Sequence, residues 1–136
     1  MNSLILSVSA KLIVPVMLLF SVYLLARGHH LPGGGFAGGL MGGAALVLYA
    51  FATNVKRVLR RIRFSPVTII SAGLLIAFAS GLPAIFQGQP FLTGLWLNWE
   101  VPFLPVPGTP LFFDMGVYLC VIGTVLLIIF PNIQSD

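Results

Sequence analysis

Three side chains of this sequence bring titratable chemistry to the edges of long apolar runs: His29, His30 and Asp114. Imidazole titrates near physiological pH, so the adjacent histidines suit a protonatable group at the mouth of a proton or cation path. The blander reading, a turn in which the rings hydrogen-bond to backbone, stands ahead of it. No cysteine or carboxylate lies near them in sequence to complete a metal site, and no metal is expected. Asp114, within LFFDMGVYL, is the acidic residue associated with an apolar run. A carboxylate at such a place must face protein, a partner charge or water. Two roles stand open for it: structural capping of a helix start or a salt bridge to a partner, and a part in ion movement. Glu100 falls in a loop and reads as solvated or paired at an interface.

The chemistry that is missing narrows the function further. No apolar run carries Lys, Arg, Glu or His at its centre, where only hydroxyls such as those of Ser71, Tyr118 and Thr124 are available. A carrier that moves cations unaided needs ionisable or polar groups near the bilayer midplane. Nor does the sequence hold a nucleophile with its base, a carboxylate pair or a cofactor motif. An independent enzyme or pump is therefore not expected, and neither is a cofactor.

The elements that must position these residues are membrane helices. In 136 residues, 58% are apolar and 7% charged, with a mean hydropathy of +1.05, which leaves too little polar surface to cover a globule in water. Runs at 4–26, 36–53, 66–86 and 111–130 are long enough to cross a bilayer at about 1.5 Å per residue. The expectation is an all-α membrane protein of four transmembrane helices, a single integral membrane domain over 1–136. The first run lacks a basic start and a small-x-small cleavage pattern, so it reads as a retained span rather than a signal peptide. Pro15 within it predicts a kink, and Lys11 is placed to snorkel toward headgroups. Cys120 is the single cysteine, so no intrachain disulfide forms.

Charge sets the orientation. Lys56, Arg57, Arg60, Arg61 and Arg63 fall in the short loop between the second and third runs, and basic short loops stay cytoplasmic. Both termini are then cytoplasmic, while the turn with His29 and His30 faces outward. With Val55, Val58, Leu59 and Ile62 interleaved, the basic stretch has the spacing of a short amphipathic helix on the membrane surface, with anionic lipid as its partner. Interleaved aromatics and a nucleic-acid-binding fold are lacking, so nucleic acid is not expected. The proline-rich stretch from Gln87 to Pro110, with Trp96 and Trp99, reads as an ordered outer loop at the headgroup interface.

Glycine marks the second span. Gly34, Gly38 and Gly42 form one row at four-residue spacing, and Gly35, Gly39 and Gly43 form the next. On a helix such rows make a broad face without side chains, and close backbone approach drives helix association in lipid. The expected occupant of that face is a helix of a partner chain. Gly33, Gly35 and Gly38 also fit GxGxxG, but the dinucleotide fingerprint needs a preceding strand and a following acid, and both are missing.

Two stretches, RGHHLPGGGFAGGL at 27–40 and TPLFFDMGVYLCVIG at 109–123, resemble the signature segments of the MnhB family, a small membrane component of the Mrp-type multi-subunit sodium/proton antiporter. PFLTGLW at 90–96 and the MNSLIL start are similar too. The resemblance implies a multi-pass subunit of a bacterial inner-membrane complex that exchanges Na+ for H+. Its partners would be large subunits related to those of respiratory complex I, which hold the proton-transfer residues, together with small membrane subunits. The same module resembles parts of ion-pumping, energy-converting hydrogenases, the alternative setting. His30 departs from the family pattern, which has Asn or another polar residue there.

Overall fold

The computed structural model describes residues 4–27, 34–86, 88 and 109–134. His29, His30, Trp96, Trp99 and Glu100 lie outside the described residues, as do the outer turn and most of the outer loop. Six helices appear among the described residues and no strand: α1 (Leu4–Arg27), α2 (Gly35–Ala52), α3 (Val55–Ile62), α4 (Pro66–Ala79), α5 (Leu82–Phe86) and α6 (Thr109–Gln134).

Local chemistry sets the ends of these helices. Gly34 precedes α2 with φ of 104°, a conformation that a side chain disfavours, and its N–H donates to the Leu24 carbonyl of α1 at 2.9 Å. Asn54 caps α3 by accepting from the Arg57 N–H at 2.7 Å, and Ser65 caps α4 by accepting from the Thr68 N–H at 3.2 Å. Pro66 follows at the first position of α4, where its missing N–H costs nothing. Arg63 closes α3 in the left-handed region at φ of 71°, with its N–H on the Leu59 carbonyl at 2.9 Å.

The third expected span, 66–86, is not one helix. α4 stops at Ala79 after 14 residues, and α5 resumes at Leu82. Pro83 explains the break, because in a continuous helix its ring would meet the carbonyl of Ala79 and its nitrogen could not bond there. The chain instead turns, with the Ser80 hydroxyl donating to Ala77 at 2.6 Å and the Gly81 N–H to Phe78 at 3.1 Å. Three helices, over Leu4–Ala26, Gly35–Ala52 and Leu111–Ile133, are long and apolar enough to cross a membrane. A fourth span is reached if α3 and α4, bent by 40°, are taken together. α1 runs unbroken through Pro15.

The long helices stand side by side in the order α1, α2, α6, α4. α6 is thus interior to the row, flanked by α2 and α4. One core cluster gathers Ala50 of α2, Val55 and Val58 of α3, Ile69 of α4, and Ile122, Leu126 and Phe130 of α6. A smaller one joins Ala10 and Val14 of α1 to Ala45 of α2. Outward faces stay apolar, with Leu4, Leu12, Leu19, Leu75, Phe78, Phe86 and Ile128 all exposed, as suits a lipid solvent.

Candidate functional site

The feature that organises this bundle is the glycine-rich half of α2, which is wedged between α1 and α6, with Gly42 facing side chains of both. Gly34, Gly35, Gly38, Gly39, Gly42 and Gly43 are all buried. A Cβ on Gly38 would stand 2.7 Å from the Ser21 carbonyl oxygen and 3.2 Å from the Leu25 nitrogen, so Gly38 lies on the backbone of α1. A Cβ on Gly35 would run into the Asp114 carbonyl, and one on Gly39 would stand 2.7 Å from Val121 Cβ and 3.0 Å from the Tyr118 carbonyl oxygen. Gly43 continues that row against Val125. The second row therefore lies on α6. Real Cβ atoms do not approach heavy atoms so closely, so only glycine permits α2 to sit between its two neighbours at this distance.

This corrects the expectation that a partner chain covers the glycine face. Both rows are occupied from within the chain, because α1 and α6 flank α2 and present their own backbone and β-branched side chains to it. Glycine also serves the opposite side of α6. A Cβ on Gly116 would stand 2.6 Å from the Gly73 carbonyl oxygen, and one on Gly123 would stand 2.9 Å from the Pro66 carbonyl oxygen, both on α4. Gly116 and Gly123 are seven residues apart, two helical turns, and this spacing is the signal in the sequence that marks them as one face. Cys120, between them, directs its thiol to the Ile70 carbonyl of α4 at 3.6 Å.

A bond between two side chains crosses the seam from α1 to α6. Ser21 is fully buried, and its hydroxyl donates to the Leu18 carbonyl at 2.8 Å. Its one proton being used, Ser21 Oγ accepts from the Tyr118 hydroxyl, 2.7 Å away. The Tyr118 oxygen stands 3.2 Å from where a Gly42 Cβ would be, so the bond from α6 to α1 passes across Gly42. A polar pair in an apolar bundle is tolerable because each partner is satisfied.

Asp114 stands half-buried as the sixth residue of α6, since that helix begins at Thr109 rather than at Leu111. It is beyond the first turn, whose residues include no acid, so the geometry does not offer it as a cap of the α6 N-terminus. Its main chain abuts Gly35, at the N-terminal end of α2. Lys56, Arg57, Arg60 and Arg61 are exposed on α3, and Arg63 is exposed just beyond it. Val55 and Val58, on the other side of α3, are buried in the protein core rather than laid on a membrane surface. Among the described residues no group of three His, Cys, Asp or Glu could hold a metal ion.

Residues 5–127 match the family described as "Domain related to MnhB subunit of Na+/H+ antiporter". The chain belongs to the MnhB family. Among MnhB relatives, the B component of the Na(+)/H(+) antiporter of Alkalihalophilus pseudofirmus is 37% identical over 99% of this chain and 95% of its own. Its namesake from Bacillus subtilis is 39% identical over 94% of this chain and 91% of its own. A chain of the Mrp complex from Dietzia sp. DQ12-45-1b superposes with a TM-score of 0.82 at 35% identity. That match takes in 97% of this chain and 14% of the much longer Dietzia chain. With its relatives antiporter subunits and its helices apolar, this MnhB chain is a membrane protein.

Proposed function

We propose that this chain is a non-catalytic, multi-pass subunit of a monovalent cation/proton antiporter in a bacterial cell membrane, forming one integral membrane domain. The observation that carries this reading is the contrast between an MnhB sequence matched along nearly its whole length and apolar spans with no Lys, Arg, Glu or His at mid-depth. Protons and Na+ must then be carried mainly by groups on neighbouring subunits, the large complex I-like chains among them. What this chain supplies is a closely packed helix row and an end where Asp114 meets the start of α2. His29 and His30 precede that start in sequence. Asp114 and the two histidines are the candidates for contact with the ion route.

In this reading α3 and both termini are cytoplasmic, and the five basic residues of 56–63 face anionic lipid. No feature of the chain favours the energy-converting hydrogenase setting, and the Mrp match argues for the antiporter. The test is deletion of this subunit from the operating complex, followed by measurement of Na+-driven proton movement in inverted membrane vesicles. Exchange should disappear and return when the wild-type chain is restored. Full exchange without the chain would overturn the proposal.

A further inference from the structure

The cationic end of the bundle holds a cavity of about 310 Å³ between α1, the last turn of α2 and α3. Lys11 of α1 and Arg57 and Arg61 of α3 line it, with Ser7 and Thr53 beside them and Ala10, Val14, Pro15, Tyr49 and Ala52 as apolar walls. We propose that this cavity binds the headgroup phosphate of an anionic phospholipid, held by Lys11, Arg57 and Arg61. The proposal rests on the membrane-subunit reading above and deepens it from a basic loop near lipid to a defined site.

Three observations point the same way. First, cations from elements more than forty positions apart in sequence converge on one cavity. The one carboxylate among the described residues, Asp114, is at the opposite end of α6, whose Phe130 end is the one packed with α3. Like charges brought together in this way are unfavourable until an anion joins them. Secondly, the hydroxyl of Thr53 donates to the Tyr49 carbonyl at 2.7 Å, so the donors that face an anion are the ammonium, the two guanidinium groups and the Ser7 hydroxyl. Guanidinium forks match phosphate oxygens in pairs, and a nearby ammonium adds a point charge.

Thirdly, the apolar walls select a lipid over free phosphate. Val14 and Pro15 lie about one turn further along α1 than Lys11, on the way to the middle of the span. An amphiphile fills both parts, its phosphate at the cations and its glycerol and first methylenes along Ala10, Val14 and Pro15. At about 30 Å³ per water the volume equals roughly ten waters, ample for such a headgroup. Basic pockets between membrane helices on the cytoplasmic side are suited to this chemistry. Lys11, which stands inside an apolar run, thereby gains a counter-ion.

Lys56 and Arg60 provide a matched control, because they belong to the same short helix but do not line the cavity. The experiment uses the assembled antiporter complex and a phosphatidylglycerol bearing a photoreactive group near its headgroup. Labelling of this chain, at subsaturating lipid, is mapped by peptide mass spectrometry. At about one decade or less in affinity per basic residue, Lys11→Gln/Arg57→Gln/Arg61→Gln should weaken binding by roughly a hundredfold. Labelling around Lys11–Pro15 and Thr53–Arg61 should be lost in that variant, while Lys56→Gln/Arg60→Gln labels like wild type, and inorganic phosphate should not compete. Equal labelling in both variants, displacement by phosphate alone, or attachment of the cavity to an acidic segment of a partner subunit would each overturn the site. Assembly and exchange are measured on the same preparations. A wild-type chain that fails to join an exchanging complex counts against the proposed function, whereas an active complex with unselective labelling counts against the lipid site alone.

Discussion

The hydroxyl of Tyr118 on α6 lies 2.7 Å from Ser21 Oγ on α1, and the bond crosses α2 at Gly42. Helices first and last in sequence are thus joined directly across the one between them, which is possible because Gly42 leaves no side chain in the way. Both oxygens are supplied for, since Ser21 passes its own proton to Leu18. Inter-helix hydrogen bonds in membranes contribute about 0.6 kcal/mol on average by double-mutant cycles. A cycle of Ser21→Ala and Tyr118→Phe, read by thermal unfolding of the purified complex, should give a coupling of about that size. Additive effects would show that the bond contributes nothing to stability.

The glycines of α2 should differ in their tolerance of a methyl group according to what faces them. Gly35→Ala meets a rigid main-chain carbonyl at Asp114, and Gly38→Ala meets the Ser21 carbonyl, so α2 must move away from its neighbour. Gly42→Ala meets the end of the Ile122 side chain at 3.0 Å and the Tyr118 hydroxyl at 3.2 Å, which are side-chain ends that can give by a few tenths of an ångström where a main-chain carbonyl does not. Overpacking of this kind costs about 1–3 kcal/mol. Melting temperatures of the three variants should fall below wild type in the order Gly42→Ala least, then Gly38→Ala and Gly35→Ala. A Gly42 variant as damaged as Gly35→Ala would contradict this arrangement.

Arg63 holds a positive φ that a side chain resists. Arg63→Gly should leave the chain as stable as wild type or more stable by up to about 1 kcal/mol, and Arg63→Val should destabilise it. Limited proteolysis between α3 and α4 reports the difference. Slower cleavage of the valine variant than of the glycine variant would contradict it.

Asp114 offers a test of the ion-route assignment. Because its main chain, rather than its carboxylate, sets the contact with Gly35, Asp114→Asn and Asp114→Ala should both assemble. Sodium/proton exchange in inverted vesicles should nevertheless be lost in both. Dissociation of the complex in either variant would assign the carboxylate to a structural salt bridge instead.

Much of this architecture could be read from residue order, and the parts that could not have physical reasons. Long apolar runs announce α1, α2, α4 and α6, because such stretches have few solutions other than helices. The break after Ala79 turns on Pro83, whose effect reaches back four residues and competes with an otherwise uninterrupted apolar run. The alternation of Val55, Val58 and Ile62 with the cations marks α3 as amphipathic. Amphipathicity alone does not distinguish a lipid surface from a protein core, and here Val58 is buried against the latter. The glycine rows declare close approach but not the identity of the neighbour. That depends on which helices come to lie beside one another, which periodicity within one helix does not encode.

The contrast between the two halves of α2 has a mechanical consequence. From Leu46 to Ala50 its side chains interlock with α3 and α6, so that end is registered like a key in a lock. From Gly34 to Gly43 the faces turned to α1 and α6 are glycine and offer no ridges of their own, so Val121 and Val125 of α6 seat directly on Gly39 and Gly43, with the Gly34 to Leu24 bond and the Tyr118 to Ser21 strut beside them. The N-terminal half of α2 is a smooth bearing, and the C-terminal half is its anchored end. Shear between these helices, if a neighbouring chain imposes it, is resisted at the cationic end and meets little friction at the end that carries Asp114.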